Sequence, residues 1–227
     1  MTLKPAARRC FNEHAQHLAR HEPGLALVVD EQEQRAVING RIDVSVGGTI
    51  TKAFDIEIRY TGLDPFRTPT ARDPARRFPP DADRHVEPDG AFCMWLPQTD
   101  PGRFNEPDGL ARYLRRVREF IVLQLMYEQR RQLHISPRWP GPEWDHGING
   151  HKQWIREQLA QHPPCKLRLF LGDIVGGRRG TSPDKPCPCR SGRTYRRCHR
   201  PVIETLRRTK KDPHVRAAIA KIIEESA

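Results

Sequence analysis

Three cysteines and one histidine lie close together near the end of the chain, and this cluster constrains the fold more than any other feature. The stretch reads CPCRSGRTYRRCH, so that Cys187 and Cys189 form one pair and Cys198 and His199 form another. Three thiolates and one imidazole are the ligand set of a closed tetrahedral zinc site, in which the metal is structural. A Ser-Gly pair between the two halves favours the turn that brings them together. The sequence therefore predicts a structural Zn²⁺ ion held by these four residues.

The zinc cluster lies in a basic tail that is poor in core-forming residues. The chain has 39 Lys and Arg against 28 Asp and Glu, a formal net charge of +11, and nearly all of the excess lies between residues 176 and 211. A segment of this size has too little apolar surface to fold alone, so zinc is expected to supply the missing stability. The positive charge permits contact with RNA or with an acidic protein surface.

Length, apolar runs and cysteine spacing limit the class of protein. The 227 residues allow one domain of ordinary size with an appendage, or two small domains. No apolar run approaches the length that spans a bilayer, and the first residues, MTLKPAARRC, lack the apolar stretch of a secretion signal. The six cysteines are not spread like a disulfide framework. We therefore expect a cytoplasmic protein with reduced thiols and no membrane contact.

The segment before the tail predicts an α+β fold that begins with a helix and a sheet. Residues 6–21 form an amphipathic pattern with Phe11, Ala15 and Leu18 on one face, which leaves the three histidines of this segment facing solvent. Three β-branched runs follow with short turns between them. They predict an antiparallel meander with one buried face, and they cover residues 25–30, 35–46 and 53–60.

Two further helices are predicted after an irregular, proline-rich passage. The first has Asn105 as its cap and Pro107 in its first turn, and its apolar spacing continues to about Gln129. The second covers about residues 151–162 and ends at a Pro-Pro pair. The apolar stretch at residues 166–171 is interpreted as a final strand or a buried extension.

Cys93 lies just past a turn with strong sequence signals. The stretch HVEPDGAFCMW runs from His85 to Trp95, and its Pro-Asp-Gly segment favours a tight turn. A thiol held beyond a rigid turn suits a nucleophile that must be both reachable and firmly positioned. The alternative is a cysteine that is buried in a strand as a small hydrophobic residue. This window alone favours the second interpretation.

The order of these features resembles the ubiquitin-conjugating enzyme (UBC) fold, in particular its divergent bacterial members. The resemblance is carried by the strand FDIEIRY, the proline-rich passage ending RFPP, His85, the Pro-Asp-Gly turn and Cys93. It implies an α+β domain with a UBC-like antiparallel meander sheet flanked by helices. The resulting division is a conjugating domain at residues 1–172, a linker at 173–184, and a small zinc-binding module with a terminal helix at 185–227.

The resemblance also implies an activity and a set of site residues. Cys93 matches the family's active-site cysteine, which carries a ubiquitin-like protein as a thioester and passes it to an amine. His85 matches the histidine of the family's His-Pro-Asn motif, whereas Val86 and Glu87 replace the proline and the asparagine. The asparagine is associated with oxyanion stabilisation, which an ionised glutamate does not provide. His146, in the stretch DHGING, is a candidate to compensate for this loss, or else a loop histidine that bonds local backbone.

The cysteine-rich stretch closely resembles the SEC-C motif, which is found at the C-terminus of the protein-translocase motor ATPase and on many bacterial proteins. This resemblance implies docking to a protein partner or to the ribosome. Residues 194–197 are then the expected exposed contacts. Arg190 stands where the family usually has glycine.

Three functions follow from these observations. The first is an enzyme, a ubiquitin-conjugating-like transferase that needs an activating enzyme, a ubiquitin-like or other protein acyl donor, and a protein target. Bacterial relatives of this kind occur in antiviral defence operons. The second is a non-catalytic interaction protein that binds a partner protein through the zinc-bound tail. The third is an adaptor that binds the ribosome or RNA through the charge of that tail.

Overall fold

The structure is a computed structural model that describes most of the chain. The described residues are 3–46, 48–94, 104, 108–135, 138–141, 145, 147–160, 171–172, 174, 181–209 and 213–225. Two compact units, Met1–Pro142 and Glu143–Ala227, account for its contacts. The model is α+β, with one four-stranded antiparallel sheet and five α-helices among the described residues. None of these helices is long and apolar enough to cross a membrane.

The N-terminal unit begins with a helix followed by the sheet. Helix α1 covers Pro5–His21, with a proline in its first turn, where a missing N–H costs nothing. The strands follow in sequence order and pair with their sequence neighbours, so that the predicted antiparallel meander is confirmed. The strands are β1 (Leu25–Asp30), β2 (Arg35–Val46), β3 (Thr49–Arg59) and β4 (Thr70–Arg72).

One face of the sheet and one face of a long helix form the core of this unit. In β3, Phe54, Ile56 and Ile58 are buried, and the charged residues between them face the other way, as the alternation predicted. Helix α2 covers Gly109–Gln132 and buries a stripe of apolar residues at helical spacing. The residue at its N-cap is Asp108, whereas the predicted cap and first-turn proline at positions 105 and 107 lie outside the described residues.

The buried face of α1 differs from the predicted one. His14 is 6% exposed and belongs to the core, whereas Ala15 is exposed, so the interpretation of His14 as a solvent-facing residue is wrong. The reason is a set of polar partners that come from elsewhere in the fold. Its Nδ1 lies 3.0 Å from the hydroxyl of Tyr60, and its Nε2 lies 3.7 Å from Sγ of Cys10. A buried polar ring is tolerated when such partners satisfy it.

The C-terminal unit consists of three helices and the cysteine-rich segment. Helices α3 (Gly147–Ala160), α4 (Arg200–Thr209) and α5 (Pro213–Glu225) surround it in sequence. Helix α3 packs against α5 and contacts α4. At the end of this packing, Glu225 forms ion pairs with Lys152 and with Arg156, the second at 2.6 Å.

The contact units divide the chain at a different place from the predicted domains. Helix α3 lies in the unit of the zinc segment, although the resemblance drew the end of the conjugating domain at residue 172. The boundaries of 1–172, 173–184 and 185–227 describe a family unit and stay a prediction. In the apolar stretch at 166–171, only Leu171 is described, and it is buried in helical conformation.

Candidate functional site

The cysteine-rich segment folds back on itself so that its two ligand pairs meet. Pro186 and Thr194 form an antiparallel bridge, and the N–H of Cys187 donates to the carbonyl of Arg193 at 2.8 Å. The N–H of Arg190 donates to the carbonyl of Cys187, which closes the turn after the first pair. A short 3₁₀ turn at Tyr195–Arg197 then leads to the second pair at the start of α4.

The four predicted ligands are brought together. The potential ligand atoms of Cys187, Cys189, Cys198 and His199 all lie within 4.8 Å of one another, and all of these residues except Cys189 are buried. Sγ of Cys189 and Sγ of Cys198 are 3.5 Å apart, and Nδ1 of His199 lies 3.2 Å from Sγ of Cys198. The edge of a tetrahedron with zinc–sulfur bonds is about 3.8 Å long. The residues therefore fit a tetrahedral metal ion.

A serine hydroxyl supports the thiolates of this cluster. Oγ of Ser191 lies 3.1 Å from Sγ of Cys189 and 3.4 Å from Sγ of Cys198. The same oxygen accepts from the N–H of Arg193 at 3.4 Å, and its O–H is available to donate to either sulfur once that sulfur is a thiolate. Burial acts to raise the pKa of Cys189, but hydrogen bonds with the side chain and backbone of Ser191 and with the side chains of Cys187 and Cys198 together outweigh it and lower this pKa to about 7. Ser191 thus favours the metal-binding form of the thiol.

The turn between the ligand pairs demands left-handed backbone conformations. Arg190 has φ = 62° and Gly192 has φ = 76°. Glycine adopts such angles without steric cost, whereas an arginine is strained by its Cβ atom. Arg190 is therefore strained where a glycine would not be, and the four potential ligands nevertheless lie together.

One of the expected contact residues of the motif is not exposed. Tyr195 is 4% exposed, so its interpretation as a surface contact is wrong, whereas Thr194, Arg196 and Arg197 are exposed as predicted. Tyr195 lies in the 3₁₀ turn that contacts α4, and burial raises the pKa of its hydroxyl. Its ring therefore belongs to the small core of the module, a role that the sequence spacing did not reveal.

The second candidate site is a hairpin at the edge of the sheet, formed by residues 85–93. The N–H of Cys93 donates to the carbonyl of His85, and the N–H of Glu87 donates to the carbonyl of Ala91, each at 2.8 Å. The hairpin continues the sheet, because Ala91 forms a bridge with Arg72 of β4. Cys93 is partly exposed at this edge.

The pairing in this hairpin places Glu87 and Cys93 on one face. Val86 and Phe92 form a bridge and are both buried in the core. Because side chains alternate along paired strands, Glu87 and Cys93 lie on the opposite face. His85 has a left-handed φ and is outside this alternation, and its buried ring packs against the core residue Trp139. The backbone of His85 is directly across from that of Cys93. Glu87 is the diagonal neighbour of Cys93, at a distance that a long side chain can span.

His85 is held in a strained position by its surroundings. Its φ of 56° is left-handed, its side chain is 8% exposed, and its ring centroid lies 4.8 Å from that of Trp139. Left-handed conformations of residues other than glycine occur preferentially at functional sites, where the surrounding structure enforces them.

A buried arginine enforces this position, and it was not predicted. Arg84 is 2% exposed; its Nε donates to Oε1 of Gln124, and its Nη2 lies 3.1 Å from a carboxylate oxygen of Glu128. Its guanidinium also lies over the ring of Tyr127, and Gln124 donates back to the carbonyl of Arg84. These contacts attach the start of the hairpin to α2. In the sequence, the one hint of a buried polar partner was Gln124, which falls among the apolar positions of the predicted helix.

The surroundings of Cys93 stabilise its protonated form. Burial raises the pKa of the thiol to about 11, and the charge of Glu87 and the hydrogen bond that its carboxylate accepts act in the same direction. Asp89, by contrast, has a structural role in the turn. It accepts from the N–H of Ala91 at 3.0 Å and pairs with Arg72 at 3.4 Å.

The third predicted catalytic residue, His146, lies outside the described residues. Helix α3 begins directly after it, at Gly147. The structure therefore pairs the backbones of His85 and Cys93, and the role of His146 stays a prediction.

Comparison with known proteins identifies one part of the chain. The model of the SEC-C motif, a zinc-binding motif, matches residues 185–201, which include all four potential metal ligands. No curated protein and no solved structure matches the chain. The resemblance to ubiquitin-conjugating enzymes is thus not among the matches.

Proposed function

We propose that this chain is a ubiquitin-conjugating-like transferase, which carries a protein acyl group as a thioester on Cys93 and docks through its zinc-bound tail. The observation that carries the proposal is the hairpin at residues 85–93. It places a partly exposed thiol opposite a strained, buried histidine at the edge of an antiparallel meander. A helix, such a meander, a histidine, a turn, a cysteine and a long helix follow in that order, as the resemblance implied.

The chemistry of the first step follows from the state of the thiol. With a pKa of about 11, Cys93 is almost entirely protonated at neutral pH. The thiol gives up its proton as its sulfur attacks the carbonyl carbon of a thioester on an activating enzyme. The new C–S bond forms on Cys93, the old one breaks, and the leaving thiolate of the activating enzyme takes up a proton. Such an exchange between thioesters needs no strong driving force, because bonds of the same kind are made and broken.

In this proposal the buried anchor positions the nucleophile. Arg84 connects the hairpin to α2 through Gln124 and Glu128, and the carbonyl of the next residue, His85, accepts from the N–H of Cys93. An acyl carrier gains from such rigidity, because the reacting atoms are held in one geometry. Arg84 is a positioning residue and does not touch the thiol.

The tail has a separate role in the proposal. A Zn²⁺ ion held by Cys187, Cys189, Cys198 and His199 would stabilise the module, and it would perform no catalysis because all four positions are filled by protein ligands. The exposed Thr194, Arg196 and Arg197 then present a basic surface to a protein partner.

A second candidate function is a non-catalytic adaptor that binds its partner through this tail. Glu87 favours it, since an ionised carboxylate cannot donate to an oxyanion at the position where the family has asparagine. In this case Cys93 would be an ordinary edge cysteine.

Intact-protein mass spectrometry distinguishes the two functions. The chain is purified from a host that also expresses the neighbouring genes, as wild type and as the variants Cys93→Ala and Cys93→Ser. The proposal expects a thiol-sensitive adduct on the wild type, no adduct on the alanine variant, and a thiol-resistant ester on the serine variant. Unmodified mass for all three proteins in the presence of a competent activating system would leave the adaptor as the function.

A further inference from the structure

Glu87 is an exposed carboxylate directly beside the candidate nucleophile. The hairpin pairing places it on the same face as Cys93, as its diagonal neighbour, and its backbone is fixed by mutual bonds with the turn. Its carboxylate accepts the hydrogen of the Cys93 thiol. The part of the chain that the structure describes supplies no ion-pair partner for it, whereas Asp89 in the same turn is paired with Arg72.

We propose that Glu87 is the proton acceptor for acyl transfer from Cys93 to a primary amine, and this inference rests on the proposed function. A hydrogen bond between this carboxylate and the thiol provides a direct path for a proton between the two groups. A carboxylate at this place also attracts the positively charged ammonium group of a lysine side chain. A lysine amine is thus the acceptor that this site fits.

The transfer step balances as follows. The lysine ammonium first loses one proton to water, and the neutral amine attacks the carbonyl carbon of the thioester. The N–C bond forms and the C–S bond breaks. The remaining surplus proton passes from the nitrogen to the carboxylate of Glu87, and from there to the departing thiolate of Cys93. The products are an amide and the original thiol, which again donates its hydrogen to Glu87.

This arrangement predicts opposite effects of Glu87 in the two states of the enzyme. In the free enzyme, burial and the negative charge of Glu87 together keep the thiol protonated, so removal of the charge lowers the pKa of Cys93 and increases the fraction of reactive thiolate. In the acylated enzyme, the carboxylate takes up the proton of the amine, so its removal slows the transfer.

The first measurement follows the free thiol. The full-length, zinc-loaded chain is treated with iodoacetamide between pH 7 and 11, and alkylation of Cys93 is quantified on its peptide by mass spectrometry. The variant Glu87→Gln is expected to react faster at pH 8, by about tenfold for each unit by which the pKa falls. Asp89→Asn is the matched control, because asparagine keeps the turn contact with Ala91, and its alkylation profile should equal that of the wild type. Equal profiles for Glu87→Gln and the wild type would overturn the proposal.

The second measurement follows the acyl group. A thioester is formed on Cys93 with the activating system, the activating enzyme is then blocked, and discharge to free lysine is measured in a single turnover. Glu87→Gln should discharge about 100-fold more slowly than the wild type and Asp89→Asn, in keeping with the usual contribution of general-base catalysis.

Each outcome of the second measurement decides one point. Discharge of the Gln variant at the wild-type rate refutes the role of Glu87 as proton acceptor, while the transferase function stands. Absence of a thioester on the wild type and on both variants refutes the proposed function, and the transfer step with it, whatever the alkylation profile shows.

Discussion

The buried histidine of α1 should make the N-terminal unit sensitive to acid. Burial lowers the pKa of His14 to about 4; a hydrogen bond to the backbone of Phe104 opposes this effect, and the charge of His17 adds to it. In the unfolded chain a histidine has a pKa of about 6.5. Between these two values the unfolded state binds a proton that the folded state does not bind. The free energy of unfolding must therefore decrease as the pH falls through this range.

The size of this effect follows from the difference in pKa. Each pKa unit corresponds to about 1.4 kcal/mol, so the burial of His14 should lower the free energy of unfolding of the N-terminal unit by about 3 kcal/mol between pH 7 and pH 4. Above pH 7 the histidine is neutral in both states and has no such effect. A loss of this size is a large fraction of the stability of an ordinary domain.

The substitution His14→Asn tests the argument. Asparagine does not titrate, and its side chain can still bond to the hydroxyl of Tyr60, which lies 3.0 Å from Nδ1 in the wild type. Both proteins are unfolded with urea at pH 7.5, 6, 5 and 4, and unfolding is followed by circular dichroism. The free energy of unfolding should change less with pH in the variant, by about 1.4 kcal/mol per pH unit. Acid also weakens the metal cluster, but equally in both proteins. Parallel curves for the two proteins would refute the reasoning.

Three further predictions concern the C-terminal unit. Ser191→Ala should weaken zinc binding by about tenfold, measured by competition with a chelator, whereas Ser191→Thr, which keeps the hydroxyl, should not. Arg190→Gly should raise the free energy of unfolding by about 0.5–1 kcal/mol, because relief of a left-handed φ exceeds the entropy cost of glycine; no change in urea unfolding would contradict the strain argument. A fragment of residues 143–227 should fold with zinc, whereas a fragment of residues 173–227, which lacks α3, should not. Without α3 the apolar contacts of Trp154 and Ile155 are lost, and burial of a large apolar side chain stabilises a fold by about 1.5–3 kcal/mol. Equal helical content per residue in the two fragments, measured by circular dichroism, would contradict this prediction.

The turn of the candidate hairpin could be predicted from its residues, but its long-range contacts could not. The Pro-Asp-Gly turn indicated where the chain reverses, and Asp89 does cap it. The partners of the turn could not be predicted in the same way. Arg84 is bonded to Gln124 and Glu128, about 40 positions later, and no local pattern relates residues at that separation. An arginine in a proline-rich passage would ordinarily be assigned to the surface.

The amphipathic pattern of α1 was predicted correctly as a helix, but its buried face was partly wrong. Hydrophobicity assigns an alanine to the core and a histidine to the solvent. In the structure the partners Tyr60 and Cys10 reverse this order for His14. Likewise, the tyrosine of the zinc motif reads as a surface contact until the packing of its 3₁₀ turn against α4 is known.

The sequence by itself determined the features whose interactions are local. The four potential metal ligands are set by spacing within a short loop, the meander is set by alternation and by short turns, and the hairpin before Cys93 is set by its turn residues. The tertiary structure alone decided the burial of His14, the anchoring of Arg84, the placement of α3 beside α5 and the position of Glu87 on the face of the thiol. The physical reason is that burial, hydrogen-bond satisfaction and pKa depend on groups that are distant in sequence and become neighbours only when the chain folds.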